Sequence, residues 1–293
     1  MDYYTDIKNE LINNEINRKV KSYSINKSDL ITYYNVGKLL LKAGNKYGNN
    51  IIKEYSIKLT DELGKGYSQR NLRNMRQFYK LSIKWQTVSA KLSWSHYCEL
   101  LWFEDNKFLY YLNIVETQNL SVRQLRERIK NNEYERLDDG TKNKLIRKEQ
   151  ENITDLVKNP ILIKNINNYE VISEKVLQKL ILENIEEFMR ELGNSFCFIG
   201  SEYKIKIGNT YNYIDLLLYN IKFKCYVVIE LKVTELKKEH LGQIEIYMNY
   251  INDNIKTIDE NKTVGIIICK ENNKYVIKYS SDKRIIAREY ELI

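Results

Sequence analysis

The chain has 293 residues, 43% of them hydrophobic and 29% charged, with a formal net charge of +8; this suits a soluble globular protein of one or two domains. No apolar run approaches the roughly 18 residues that span a bilayer, and the polar start MDYYTDIKNE is unlike a signal peptide. Cys98, Cys197, Cys225 and Cys269 form no C-x-x-C pair, which argues for reduced thiols in a cytoplasmic protein, and two histidines, His96 and His240, are too few for a three-histidine zinc centre.

The charge is uneven. Residues 1–150 hold 27 Lys+Arg against 18 Asp+Glu, and residues 151–293 hold 20 against 21. A basic first half suggests contact with a polyanion, although solvated charges in a Lys- and Asn-rich composition would give the same excess. In chain order, Leu30, Tyr34, Gly37 and Leu41 repeat at helical spacing after Ser28, a candidate cap. Ile52, Tyr55, Leu59 and Leu63 do the same before Gly64 and Gly66. Ser68 then caps the run QRNLRNMRQFYK, where Leu72, Met75, Phe78 and Tyr79 share one face. Gln69, Arg70, Arg73, Arg76, Gln77 and Lys80 cover a neighbouring arc of about 120°. That arc is a candidate nucleic-acid-binding face in a helix-turn-helix-like arrangement, with a solvated helix side as the simpler alternative. Further helices are expected at 95–103, 107–117 and 121–130.

From 131 to 168 the pattern weakens into a charged, Asn-rich stretch that holds the only proline, Pro160. The expected organisation is a helical, basic domain over 1–150, a linker over 151–168 with some helix within 145–157, and a second domain over 169–293. The second domain opens with a helix at 173–192 that Gly193 stops. Strands follow at 196–207, 211–219 and 222–233, then a helix at 239–252, a strand at 263–269 and a last strand at 275–279.

The segment YIDLLLYNIKFKCYVVIELKV (213–233) carries the chemistry. Asp215 lies in one apolar strand, and Glu230 and Lys232 in the next. Alternation places Glu230 and Lys232 on one face and Ile229, Leu231 and Val233 on the other. An acid and a lysine inside an apolar strand are costly to desolvate unless paired or bound to a metal. With so few histidines the metal would sit on oxygen ligands, which favours Mg²⁺ or Mn²⁺. Asp215 and Glu230, with the Leu231 main-chain carbonyl, are the candidate ligands for phosphodiester hydrolysis, and Lys232 would orient the attacking water or steady developing charge. Glu183, in the preceding helix, is a candidate further ligand. Gln243 and Tyr247, at i and i+4 of the following helix, would contact substrate phosphate or brace Lys232.

This order of elements, with D-x(14)-E-x-K on adjacent strands, resembles the PD-(D/E)XK nuclease superfamily, and the helical Q-x-x-x-Y of Gln243 and Tyr247 is similar to that of its RecB-like branch. The runs LENIEEFMRELGNSFCFIGSEYKIKIGNTYNYIDLLLYNIKFKCYVVIELK, GQIEIYMNYIND and TVGIIICK resemble the bacterial YhcG-type subfamily, and YSQRNLRNMRQFY, LSWSHYCELL and LSVRQLRERIKNNEYERL resemble its helical leading domain. Ile214 stands where the superfamily motif has proline. The resemblance implies an α plus α/β architecture: a helical N-terminal domain, then a restriction-endonuclease-like mixed β-sheet flanked by helices. It implies a metal-dependent nuclease, endo- or exonucleolytic, acting on DNA, with Asp215, Glu230 and Lys232 catalytic and Glu183 and Gln243 accessory. Cutting both strands of a duplex would be easiest for a homodimer. Two alternatives stay open: an inactive nucleic-acid-binding or regulatory module, and a structure-specific or RNA-directed nuclease.

Overall fold

The computed structural model describes residues 3–20, 25–47, 50–85, 91–147, 149, 152–193, 195–278 and 282–293. The chain divides into two compact units, Met1–Asn131 and Asn132–Ile293.

The first unit is helical: α1 (Tyr3–Val20), α2 (Ile25–Tyr47), α3 (Ile51–Leu63), α4 (Gln69–Trp85), α5 (Trp94–Leu100), α6 (Asp105–Gln118) and α7 (Val122–Lys130). Ile7, Leu11, Val36, Leu40, Ala43, Ile52, Tyr55, Leu59, Leu72 and Met75 form one buried cluster, so the periodicity read in α3 and α4 marks their inward faces, whereas α2 enters it through Val36, Leu40 and Ala43 instead of the expected Leu30, Tyr34 and Leu41. The helix α1 was not anticipated; it enters that cluster through Ile7 and Leu11, with Tyr3 and Tyr4 packed against it. Ser68 caps α4 by accepting the Asn71 N–H at 3.3 Å, and Ser121 caps α7 in a reciprocal pair with Gln124. Ser28 is a correction: it lies inside α2, and its hydroxyl donates to Asn14 at 3.0 Å instead of capping. At Gly37 a Cβ would lie 2.1 Å from the Met75 carbonyl oxygen, so α2 and α4 touch backbone to backbone.

The second unit contains α8 (Asp139–Arg147), α9 (Ile153–Leu156), β1 (Ile161–Ile163), α10 (Glu174–Glu183), α11 (Ile185–Leu192), β2 (Phe196–Ile207), β3 (Thr210–Asn220), β4 (Cys225–Glu235), α12 (Lys238–Asn254), β5 (Val264–Glu271), α13 (Lys274–Lys278) and β6 (Ile285–Leu292). Its six-stranded sheet runs β1-β6-β5-β4-β3-β2. The β2-β3-β4 half is antiparallel and the β4-β5-β6-β1 half parallel. One buried cluster packs α10 and α11 on one face, and a second packs α12 on the other.

Several boundaries differ from expectation. The segment 151–168 is no linker: Ile153, Val157, Ile161 and Ile163 are buried in the core of the second unit, and β1 pairs with β6. The expected helix at 173–192 is two helices, broken at Asn184 (φ −127°, ψ 36°). The strand expected at 275–279 is the helical turn α13 over 274–278, because the Asn273 carboxamide oxygen accepts the N–H groups of Tyr275 and Val276 and starts a turn; Tyr279 lies outside the described residues. The last strand is β6, whose alternation is masked by Arg288. That guanidinium is drawn inward to the Val157 carbonyl (2.9 Å) and Asp138 (2.8 Å).

Candidate active site

The site forms where β3 and β4 part. On β4, Val227, Ile229 and Leu231 enter the cluster with α10 and α11, and Val228 enters the cluster with α12. Alternation therefore puts Glu230 and Lys232 on the α12 side. Both are buried, Glu230 to 1% and Lys232 to 8% exposure. The Lys232 ammonium donates to Glu230 Oε2 at 3.5 Å, and Glu230 Oε1 is buried with no hydrogen-bond partner.

The β3–β4 ladder runs from Asn220↔Cys225 to Leu216↔Ile229 and stops one residue short of Asp215. There the Asp215 carboxylate takes over: Oδ2 accepts the Leu231 N–H at 2.7 Å. Regular alternation is also broken. Ile214 and Leu217 pack in one cluster and Leu216 in the other. Across β2, Glu202 lies between the Ser201↔Leu216 and Tyr203↔Ile214 pairs with φ 47°, a left-handed backbone that a residue with a Cβ adopts at a cost. The N–H and C=O of a strand residue face the same edge, so the Leu231 carbonyl also faces the opening.

Two residues of α10, neither foreseen, join the site. Gln178, 9% exposed, donates from Nε2 to the Asp215 main-chain carbonyl at 3.0 Å. Glu174 Oε2 lies 3.7 Å from Lys232 Nζ. Gln178 was visible in the sequence as a polar residue interrupting the inward stripe of Leu177, Leu180 and Ile181. Glu183 does not reach this cluster. Nine residues beyond Glu174, it sits about 180° around α10 and roughly 13 Å along it, where it accepts from Asn167 and pairs with Lys179.

On α12 the Gln243 amide donates to the Tyr247 hydroxyl at 3.1 Å. Tyr247 is 6% exposed within the α12 core cluster, so it braces Gln243 and is too enclosed to meet substrate. His240 accepts the Lys237 N–H on Nδ1 at 3.1 Å. Its pKa is pushed down by burial first and then by Lys232. His96 is structural: it completes the α5 cap with Ser93, and its Nε2 lies 2.9 Å from the Leu120 carbonyl.

Electrostatics set this region apart. Burial first, and Asp215 second, push Glu230 up to about 8, against the pull of Lys232 and the Asp215 main-chain N–H. Asp215 is also raised, by burial above all, with Glu174 and Glu202 adding to the effect. Two carboxyls held near each other in the interior, one with an orphaned oxygen, fit a divalent cation. Among the described residues no cluster of three or more His, Cys, Asp and Glu side chains forms a closed metal cage. Two carboxyls beside a main-chain carbonyl are oxygen donors of the kind a hard cation takes.

In the first unit, Arg70, Arg73 and Lys80 of α4 are exposed and Arg76 is half-buried. The arc read from the sequence is thus largely open to solvent.

A family model described as "YhcG PDDEXK nuclease domain" matches residues 154–293, and one described as "DUF1016 N-terminal domain" matches residues 7–136. Residues 154–293 thus match a YhcG-type PD-(D/E)XK nuclease domain and residues 7–136 a separate N-terminal domain model. The chain is similar to the Escherichia coli (strain K12) protein "Putative nuclease YhcG", 26% identical over 318 residues, covering 92% of this chain and 84% of that protein. Two solved structures are similar over 43% of this chain: "crystal structure of a repair endonuclease from Pyrococcus abyssi" (20% identity, TM-score 0.29) and "Structure of EndoMS-dsDNA2 complex" (18% identity, TM-score 0.29). The match spans 48% of each of those chains, about half their length. The YhcG-type nuclease domain includes Asp215, Glu230, Lys232, Glu174 and Gln178. No helix among the described residues is long and apolar enough to cross a membrane.

Proposed function

We propose that this protein is a divalent-metal-dependent endonuclease that hydrolyses DNA phosphodiester bonds, with the helical first unit binding or selecting the substrate. The observation that carries this reading is Glu230: a buried acid with one oxygen unpartnered, raised to about 8 beside a second raised acid, Asp215. The match of residues 154–293 to a YhcG PDDEXK nuclease domain supports the nuclease chemistry. Asp215, Glu230 and the Leu231 carbonyl would hold Mg²⁺ or Mn²⁺, which when bound supplies Lewis-acid polarisation of the phosphate and a water of lowered pKa. Lys232 orients the attacking water through its ammonium and offsets charge growing on the phosphate. Glu174, close to Lys232, keeps that ammonium aimed. Gln243, braced by Tyr247, has a second amide hydrogen for a phosphate oxygen.

Arg70, Arg73, Arg76 and Lys80 make the DNA-contacting face of the first unit. Charge supports this role: residues 1–131 hold 22 Lys+Arg against 13 Asp+Glu. Replacing the three arginines by alanine should weaken DNA binding and reduce the salt slope by about three, near 0.9 per phosphate contact. An unchanged slope would remove the face from the binding site.

The deciding experiment titrates Mn²⁺ calorimetrically into wild type and Glu230→Ala, with plasmid cleavage run on the same samples. Binding and cleavage in wild type alone establish the site. Cleavage retained in both Glu230→Ala and Lys232→Met would sink the reading, because removing such groups should cost about 10²–10⁴-fold. Branched DNA and RNA in parallel lanes separate a structure-specific or RNA-directed nuclease from the DNA reading.

A further inference from the structure

We infer that Gln178 is a positioning residue for Asp215, supplying from α10 the main-chain hydrogen bond that β3 loses where it parts from β4. The inference rests on the metal-dependent reading above and adds what makes that site well formed.

Asp215 is the first β3 residue beyond the last β3–β4 pair, Leu216↔Ile229. A strand end with a buried, unpaired carbonyl is unstable unless another donor replaces the ladder. Gln178 is that donor, with Nε2 3.0 Å from the Asp215 oxygen. Its place among Leu177, Leu180 and Ile181 would otherwise suit an apolar residue, so the cost of burying the amide is offset by this bond.

Asp215 is therefore gripped twice. The amide of Gln178 holds its main chain, and the Leu231 N–H holds its carboxylate at 2.7 Å. Between these grips the backbone departs from strand alternation, with Glu202 in a left-handed conformation directly across β2. Without the amide, the 214–216 segment can return to regular alternation, and the carboxylate then leaves the Leu231 N–H. Glu174, one turn earlier on α10, approaches Lys232, so a single helix face addresses both sides of the opening. Residues that orient ligands in this way typically change metal affinity by about 10–100-fold when lost.

The test uses the full chain with Gln178→Met, which keeps the length and loses the donor, and Gln178→Glu, which keeps the shape and loses the donor on ionisation. Exchange of the Leu231 amide, measured by NMR in chelator, is compared with that of Val228 and Ile229. Mn²⁺ affinity is then measured by calorimetry, and kcat and KM on DNA separately. The expected result is faster exchange confined to Leu231, Mn²⁺ binding weakened by about 10–100-fold, and a fall in kcat with KM little changed. If either variant folds and keeps both Leu231 protection and Mn²⁺ affinity within twofold of wild type, Gln178 only fills space and the inference is wrong. If wild type neither binds Mn²⁺ nor cleaves, the nuclease reading fails on its own, and the Leu231 amide still decides whether Gln178 positions Asp215.

Discussion

Among the described residues, the first unit fully buries no Asp, Glu, Lys or Arg, whereas the second buries Glu133, Lys158, Glu230 and Lys232. The first unit is the more basic of the two, so its charge lies on helix faces where water solvates it. The second unit pays a desolvation cost twice, in two places with different outcomes. Around Lys158 the charges close on themselves: Glu133 lies at 3.5 Å and Glu191 at 4.0 Å, and Glu191 in turn pairs with Arg136 and accepts the Leu162 N–H. Around Lys232 they do not, since Glu230 Oε1 has no partner and Asp215 and Glu230 are both raised. A closed network of buried charge is architecture; an open one leaves valence for something the chain does not itself provide.

The contrast can be broken most forcefully at Lys158. Lys158→Met removes the buried cation between Glu133 and Glu191 and should lower stability by about 3–5 kcal/mol in urea melts. A neutral result would mean that the cluster is not a closed network.

Gly37→Ala probes the first unit, whose tight point is backbone against backbone, and should cost about 3 kcal/mol because the Met75 carbonyl cannot swing aside. Gly265→Ala in β5 meets the Met248 and Ile244 side chains as its nearest neighbours, both movable, and should cost nearer 1 kcal/mol. Equal losses in thermal melts would show that the α2–α4 contact yields more easily than its geometry implies.

Glu230→Gln should have the opposite sign from Lys158→Met. Without metal, folded Glu230 holds its proton to about pH 8, whereas the unfolded chain releases it near 4.5. Unfolding between those values therefore releases a proton, and wild-type stability falls as pH rises through the window. In chelator at pH 8, Glu230→Gln should be more stable than wild type by about 2–4 kcal/mol, with the difference vanishing below pH 4.5. A difference that does not grow with pH would mean that Glu230 is not held protonated. The smallest effect concerns thiols. Burial pushes Cys225 up to about 11 and Cys269 up to about 12, so at pH 8 iodoacetamide should label exposed Cys197 and spare both until the sheet opens. Mass mapping of the labelled peptides checks it.

Much of this was legible in the sequence. The strands of the hairpin β2–β3 and of β4 fall within a few residues of their expected places, because long apolar runs bounded by turn residues admit few alternatives. Glu230 and Lys232 share one face of β4 as expected, whereas Asp215 meets β4 where the alternation of β3 breaks. Legibility failed where a partner distant in sequence decides the outcome: β1 and β6 are short or charge-interrupted, and β1 becomes a strand by pairing with the end of β6, which itself pairs with β5.

Local sequence determined the helical first unit, the amphipathic faces of α3 and α4 with the Ser68 and Ser121 caps, and the acid–acid–lysine trio, since these depend on periodicity and neighbouring side chains. Tertiary structure alone decided that Glu174 meets Lys232 while Glu183 does not, that Gln178 grips Asp215, and that Glu230 keeps an unpaired oxygen. Those outcomes depend on which turn of α10 lies over the opening between β3 and β4, and a helix's own 3.6-residue period carries no information about where along its length another strand will end.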